Sequence, residues 1–190
     1  MTKSTLPVGG YSVNPYVGCT HGCKYCYASF MKRFTGHTEP WGTFLDVKYW
    51  PAIKNPRKYA GQRVVIGSVT DGYLPQEAQF QNTRKLLEQL RGSEAEILIC
   101  TKSDLVIRDI DLLKELGKVT VSWSINTLDE DFKNDMDGRY RGWTQIHEGL
   151  PTDEDVQRSF NQSCTLQEIK KQNIQMSQST YRHFLFFQCY

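Results

Sequence analysis

Three of the six cysteines fall within eight residues, as Cys19, Cys23 and Cys26. They lie in the run Asn14-Pro15-Tyr16-Val17-Gly18-Cys19-Thr20-His21-Gly22-Cys23-Lys24-Tyr25-Cys26-Tyr27. The spacing Cys-x3-Cys-x2-Cys places three soft thiolate ligands on one tight loop, which suits a metal centre. On a [4Fe–4S] cluster, three cysteines leave one iron without a protein ligand, open to a small molecule. A second arrangement completes a tetrahedral zinc site with His21 or His37. No second pair of ligands follows at finger-like spacing. The blandest alternative is three unrelated cysteines. Cys100, Cys164 and Cys189 are far apart in the chain. Residues 1–10 carry no secretory pattern, so a disulfide framework is not expected, and clustered cysteines of a cytoplasmic protein suit metal better.

The elements that must position this loop follow from apolar spacing. Residues 11–17 suit a short strand that runs into the loop. Tyr27, Phe30, Met31 and Phe34 then fall at helical spacing, so the loop is expected to empty into a helix. Residues 36–58, with Pro40, Pro51 and Pro56, form a crossover without a sustained period. After it the rhythm becomes regular. Residues 63–69, 96–100 and 119–125 are β-branched or apolar runs of the kind buried in parallel sheets. Phe80, Thr83, Leu86, Leu87 and Leu90 mark one intervening helix, stopped by Gly92. Ile110, Leu113 and Leu116 mark another, stopped by Gly117. Thr127 and Glu130 form a capping box for a further helix. Strand and helix alternating at this spacing predict right-handed βαβ units and a parallel sheet. The fold class is therefore α/β, with about four strands counting the one before the cysteines.

In such folds ligands sit beyond the carboxyl ends of the strands. Ser68, Thr70 and Asp71 end one strand, Thr101 and Lys102 the next, and Ser124 and Asn126 the third. All would border the cysteine loop. Turn-making and capping are the plainer alternative for Thr70 and Asp71, and a solvated lysine is that for Lys102. Cys100 shares a strand face with Lys102. It is either a hydrogen-atom donor below the site or a small buried hydrophobe. Residues 24–63 hold eight basic side chains against Glu39 and Asp46, with Trp41, Tyr49, Trp50 and Tyr59 interleaved. Such a stretch suits a nucleic-acid backbone or an ordinary solvated face. The formal net charge of the whole chain is only +2 and announces neither.

Together these motifs resemble the radical S-adenosylmethionine (SAM) superfamily. The Asn14–Ala28 context, Ser68-Val69-Thr70-Asp71, Thr101-Lys102-Ser103-Asp104, and Ser124-Ile125 with Thr127-Leu128-Asp129 are similar to its spore-photoproduct-lyase-like branch. Over residues 6–137 the group called radical SAM mobile pair protein B is the most similar. The resemblance implies a partial (β/α) barrel of TIM type and a [4Fe–4S] cluster held by Cys19, Cys23 and Cys26. It implies S-adenosylmethionine on the open iron, cleaved reductively to a 5′-deoxyadenosyl radical that takes hydrogen from a substrate. It places Tyr25 beside the adenine and favours Ser68 and Lys102, with Thr70, Asp71 and Ser124, as cofactor contacts. The implied partners are a flavodoxin- or ferredoxin-type electron donor and a partner radical SAM protein, with nucleic acid a candidate substrate.

The resemblance ends near Asp137. A core of residues 1–137 and a divergent tail of 138–190 are the expected divisions. The tail shows no further βα unit and is expected to be irregular or helical. It would have to cover an open sheet edge, since unpaired edges invite association. A cluster-binding remnant without turnover and a zinc-stabilised nucleic-acid-binding module are the alternatives. No apolar run approaches the roughly 20 residues of a membrane span, and a cytoplasmic location is expected.

Overall fold

The computed structural model describes residues 1–4 and 10–124 in full, and the backbone of two tail strands, Ile174–Gln178 and Phe184–Cys189. A sheet forms the centre. Its parallel part is β2 (Tyr11–Val13), β5 (Arg63–Ile66), β6 (Glu96–Thr101) and β7 (Val119–Ser124), neighbours in chain order. Each strand pairs in parallel with the next: Ser12 with Val65, Val65 with Leu98, and Leu98 with Thr120. The four expected strands are thus present in the order that right-handed crossovers produce. A short β1 (Thr2–Lys3) adds antiparallel to β2.

Helices cover one face. The apolar positions of α2 (Asn82–Gln89) and α3 (Ile110–Leu116) pack on alternate strand residues. Leu86, Leu87, Leu112 and Leu113 meet Val64, Ile66, Ile97, Ile99, Val119 and Val121 in one buried core. The period of two along the strands leaves Ser12, Leu98 and Cys100 on the opposite face. The first helix is shorter than its apolar pattern. Gln81 adopts a left-handed conformation (φ 51°) and separates a single turn, α1 (Glu77–Phe80), from α2.

Three expectations are corrected. Residues 11–17 are not one strand. Pro15 lacks the N–H that would continue the ladder. The chain turns there, and β3 (Tyr16–Gly18) pairs antiparallel with β4 (Leu45–Val47) in a separate two-stranded sheet. The helix after the cysteines is a 3-10 helix, Tyr27–Phe34. Only Ala28 is buried within it, while Phe30 and Phe34 are exposed with the Arg33 guanidinium over both rings. In the tail, the described residues are neither irregular nor helical. β9 (Phe184–Cys189) runs antiparallel along β7, from Val119 opposite Cys189 to Ser124 opposite Phe184, and β8 (Ile174–Gln178) pairs antiparallel with β9. The edge of β7 is thereby paired. The described elements form an α/β sheet consistent with part of a radical-SAM-like barrel, and no closed barrel is present among them. Ile125, Asn126, the capping box at Thr127 and residues 138–173 lie outside the described residues.

Candidate metal and cofactor site

The cysteine loop leaves β3 through Gly18. This residue has φ 84°, and a Cβ there would lie 2.4 Å from the Phe44 carbonyl oxygen, so only glycine fits. A second close approach holds the middle of the loop, where a Cβ on Gly42 would lie 2.7 Å from the Gly22 Cα. The segment after β5 forms the bed on which the loop rests. The Thr70 hydroxyl donates to the Gly18 carbonyl. The Thr20 hydroxyl donates to Gln76 Oε1 at 2.9 Å. His21 Nε2 lies 3.0 Å from Asp71 Oδ2, and both side chains are buried.

Cys19 is buried, Cys23 and Cys26 are partly buried, and all three are reduced thiols. The Cys26 N–H donates to the Cys23 carbonyl at 3.2 Å, a turn that carries the chain into the 3-10 helix. Burial pushes the Cys19 thiol up to about 12, so a metal bound there must displace its proton. Among the described residues no group of three or more His, Cys, Asp or Glu side chains is gathered in metal-holding geometry. The donor set nevertheless fits an iron–sulfur cluster by its chemistry, with three thiols on one loop. It fits zinc less well. His21 Nε2 is engaged with Asp71. His37 holds Glu39 through Nδ1 at 3.1 Å and Asp46 through Nε2 at 3.0 Å, and stacks on Phe44.

The strand-end residues divide into two groups. Tyr25, Lys102 and Ser124 come together. The Lys102 ammonium lies 5.3 Å from the centre of the Tyr25 ring and 3.3 Å from the Ser124 carbonyl. Ser68 follows the neighbouring strand β5, and its hydroxyl meets Ser12 Oγ at 2.6 Å and Asn14 Nδ2 at 3.1 Å. Thr70 and Asp71 are buried beneath the loop and are engaged by protein groups. Burial alone would raise the Asp71 carboxyl. The His21 hydrogen bond and charge and the backbone amides of Lys102 and Tyr73 hold it below the usual range instead.

Cys100 is partly buried, and burial followed by the Asp71 charge pushes its thiol up to about 11. Sequence reasoning missed Tyr27. Its hydroxyl donates to the Ser68 carbonyl, and burial, then the charges of Cys100 and Cys26, raise its phenol. The signal was its place directly after Cys26 on the strand-end side of the loop. Sequence reasoning also left His21 as a zinc alternative only; its i+2 spacing from Cys19 and i−2 spacing from Cys23 was the available clue.

Residues 13–150 match the radical SAM superfamily. The chain belongs to that superfamily. Within this radical SAM protein the matched stretch begins on β2, before the cysteine loop, and runs past β7. An uncharacterised protein of Methanocaldococcus jannaschii is 38% identical over 139 residues, covering 72% of this chain and 52% of the relative. An uncharacterised protein of Acidianus two-tailed virus is 35% identical over 142 residues, covering 68% and 46%. One from Mycobacterium bovis is 28% identical over 140 residues, covering 67% and 40%. The chain spans about half the length of the curated relatives it matches first. No solved structure matches it. No helix among the described residues is long and apolar enough to cross a membrane.

The basic stretch of residues 24–63 is less open than its sequence suggests. Tyr59 is buried in the main core, Trp50 packs against it, and Trp41 packs on Tyr16 and Leu74. Tyr49, 91% exposed, is the ring of the four left open. Lys48, Lys54 and Lys58 are exposed along a cavity of about 900 Å³ that reaches Asn14 and Ser68.

Proposed function

We propose that this protein holds a [4Fe–4S] cluster through Cys19, Cys23 and Cys26 and uses it to cleave S-adenosylmethionine reductively. The observation that carries the reading is the loop itself: three reduced thiols on a segment within the superfamily match, bordered by Tyr25, Lys102 and Ser124. When bound, the cluster and S-adenosylmethionine supply a 5′-deoxyadenosyl radical for hydrogen abstraction. The chain's own residues bind and orient. The Lys102 ammonium offers a counter-charge for the cofactor carboxylate, with its aliphatic stem and the Tyr25 ring forming one wall. Ser68 and Ser124 offer oxygens to the cofactor ammonium and ribose. Thr70 and Asp71 serve the same site through the loop they hold. Cys100, on the strand face away from the helices, offers a thiol below this site, beside its plainer use as a small buried side chain.

The group is that of spore-photoproduct-lyase-like radical SAM proteins, nearest to radical SAM mobile pair protein B, with a flavodoxin- or ferredoxin-type electron donor and a partner radical SAM protein. The exposed lysines along the cavity keep nucleic acid a candidate substrate. Anaerobic reconstitution with iron and sulfide tests the reading. About four irons per chain and broad visible absorption are expected. Stoichiometric zinc without that absorption would sink it. Dithionite and S-adenosylmethionine should then release 5′-deoxyadenosine. A cluster that forms without releasing it favours the alternative of a binding remnant.

A further inference from the structure

Asp71 is 8% exposed and makes four hydrogen bonds, two to each carboxylate oxygen. Oδ1 accepts from the Tyr73 amide at 2.8 Å and from the Thr101 hydroxyl at 2.8 Å. Oδ2 accepts from the Lys102 amide at 2.7 Å and lies 3.0 Å from His21 Nε2. One buried carboxylate therefore joins the end of β6, where Lys102 begins the cofactor wall, to the centre of the cysteine loop. His21 is 2% exposed and stands two residues from both Cys19 and Cys23. A charged acceptor surrounded by four donors in a buried setting has little freedom to move, because any displacement leaves donors unsatisfied.

We propose that His21 and Asp71 are positioning residues that set the cysteine loop in register with Lys102. The pair touches neither metal nor cofactor and acts through the thiols on either side of His21. The proposal rests on the cluster reading above and adds to it a place where the two halves of the site are joined. Outer-shell partners of metal ligands typically contribute about 10–100-fold in metal affinity, which sets the expected effect.

Asp71→Asn keeps the shape and removes one acceptor oxygen, leaving an amide N–H₂ against two donors. His21→Ala removes the link from the loop side. His21→Gln retains an amide donor at similar reach. Iron retention against a competing chelator, the cluster's reduction potential and its reduced-state EPR spectrum should be measured on the anaerobically reconstituted full chain. Asp71→Asn and His21→Ala are each expected to lower iron affinity at least tenfold and to shift the potential and the spectrum. The two changes together should cost little more than either alone, the sign of a shared link. His21→Gln should recover most of the affinity and the parent spectrum.

A cluster with unchanged affinity, potential and spectrum in both single variants would overturn the positioning role while leaving the cluster reading intact. Failure of His21→Gln to recover what His21→Ala loses would also overturn it. A parent chain that takes no iron at all would instead sink the cluster reading, and this proposal with it.

Discussion

At the scale of single residues, the site depends on groups whose partners are far away in sequence. Cys23→Ala should abolish cluster binding, measured as iron and sulfide per chain after reconstitution. A variant that keeps all its iron would refute the ligand assignment. His37 makes a different, pH-dependent contribution. The Asp46 hydrogen bond first, and that of Glu39 after it, raise its imidazole above the usual value, against the opposing effect of burial. A group whose folded value is raised adds stability while the pH is below its unfolded value, and loses it as the pH climbs through the folded one. The chain should therefore lose a small part of its stability on passing upward through and just above the usual imidazole range. Melting temperature against pH checks this, and Asp46→Asn should flatten that step and return the His37 titration, followed by NMR, toward its ordinary position. The thiol spacing and the strand-end position of Lys102 could be read in the sequence because they are local facts. The link between His21 and Asp71 was not, since it spans 50 residues and depends on which way a loop folds back.

At the scale of elements, a buried ionic network joins the cysteine-bearing part of the chain to the βα units. Glu77 is fully buried on α1. It accepts from the Tyr16 hydroxyl, from the Thr83 and Arg84 amides at 2.9 and 3.2 Å, and from Arg108 Nη2 at 3.0 Å. Arg108 also meets Asp109, which in turn meets Arg84 at 2.8 Å. Truncating one member of a buried ion pair leaves the rest uncompensated, at a cost of about 3 kcal/mol or more. Glu77→Ala should lower unfolding free energy by that order, measured in urea, and loosen β3 before it affects β6. Gly42→Ala tests the other support of the loop. Its Cβ would strike the Gly22 backbone, and φ 98° is a conformation that alanine rarely adopts. Lower iron uptake with only modest loss of global stability is the expected result. The parallel strands and α3 could be drawn from apolar runs and glycine stops. Glu77 and Asp109 could not, because charged residues are seldom fully buried unless paired, and the pairing partners lie on other elements. The break at Pro15 was legible in principle, since proline removes a ladder donor. The partner strand β4 lies in a stretch whose apolar residues have no sustained period.

At the scale of the whole molecule, the parallel sheet stops at β7, and an antiparallel strand, β9, takes the position beside it. A barrel that continued would place another parallel strand there after a further crossover. The sequence of the tail gave little sign of this, because its last apolar run, ending at Cys189, lacks the strand–helix alternation that marks a βαβ unit. β9 instead satisfies the outward amides and carbonyls of β7, with β8 beyond it. An unpaired edge the length of β7 is a template for pairing with another chain. Deleting residues 184–190 should therefore expose β7 and drive self-association, visible as dimers and larger species in sedimentation velocity at concentrations where the parent chain shows none. The cysteine loop rests on β3, β4 and the segment after β5, none of which touches β9 in the sheet order. The shortened chain should accordingly keep its capacity for iron while it associates. Loss of iron uptake together with association would mean that the tail supports the loop as well as the edge. A shortened chain that stays monomeric would show that pairing with β9 is not what protects β7.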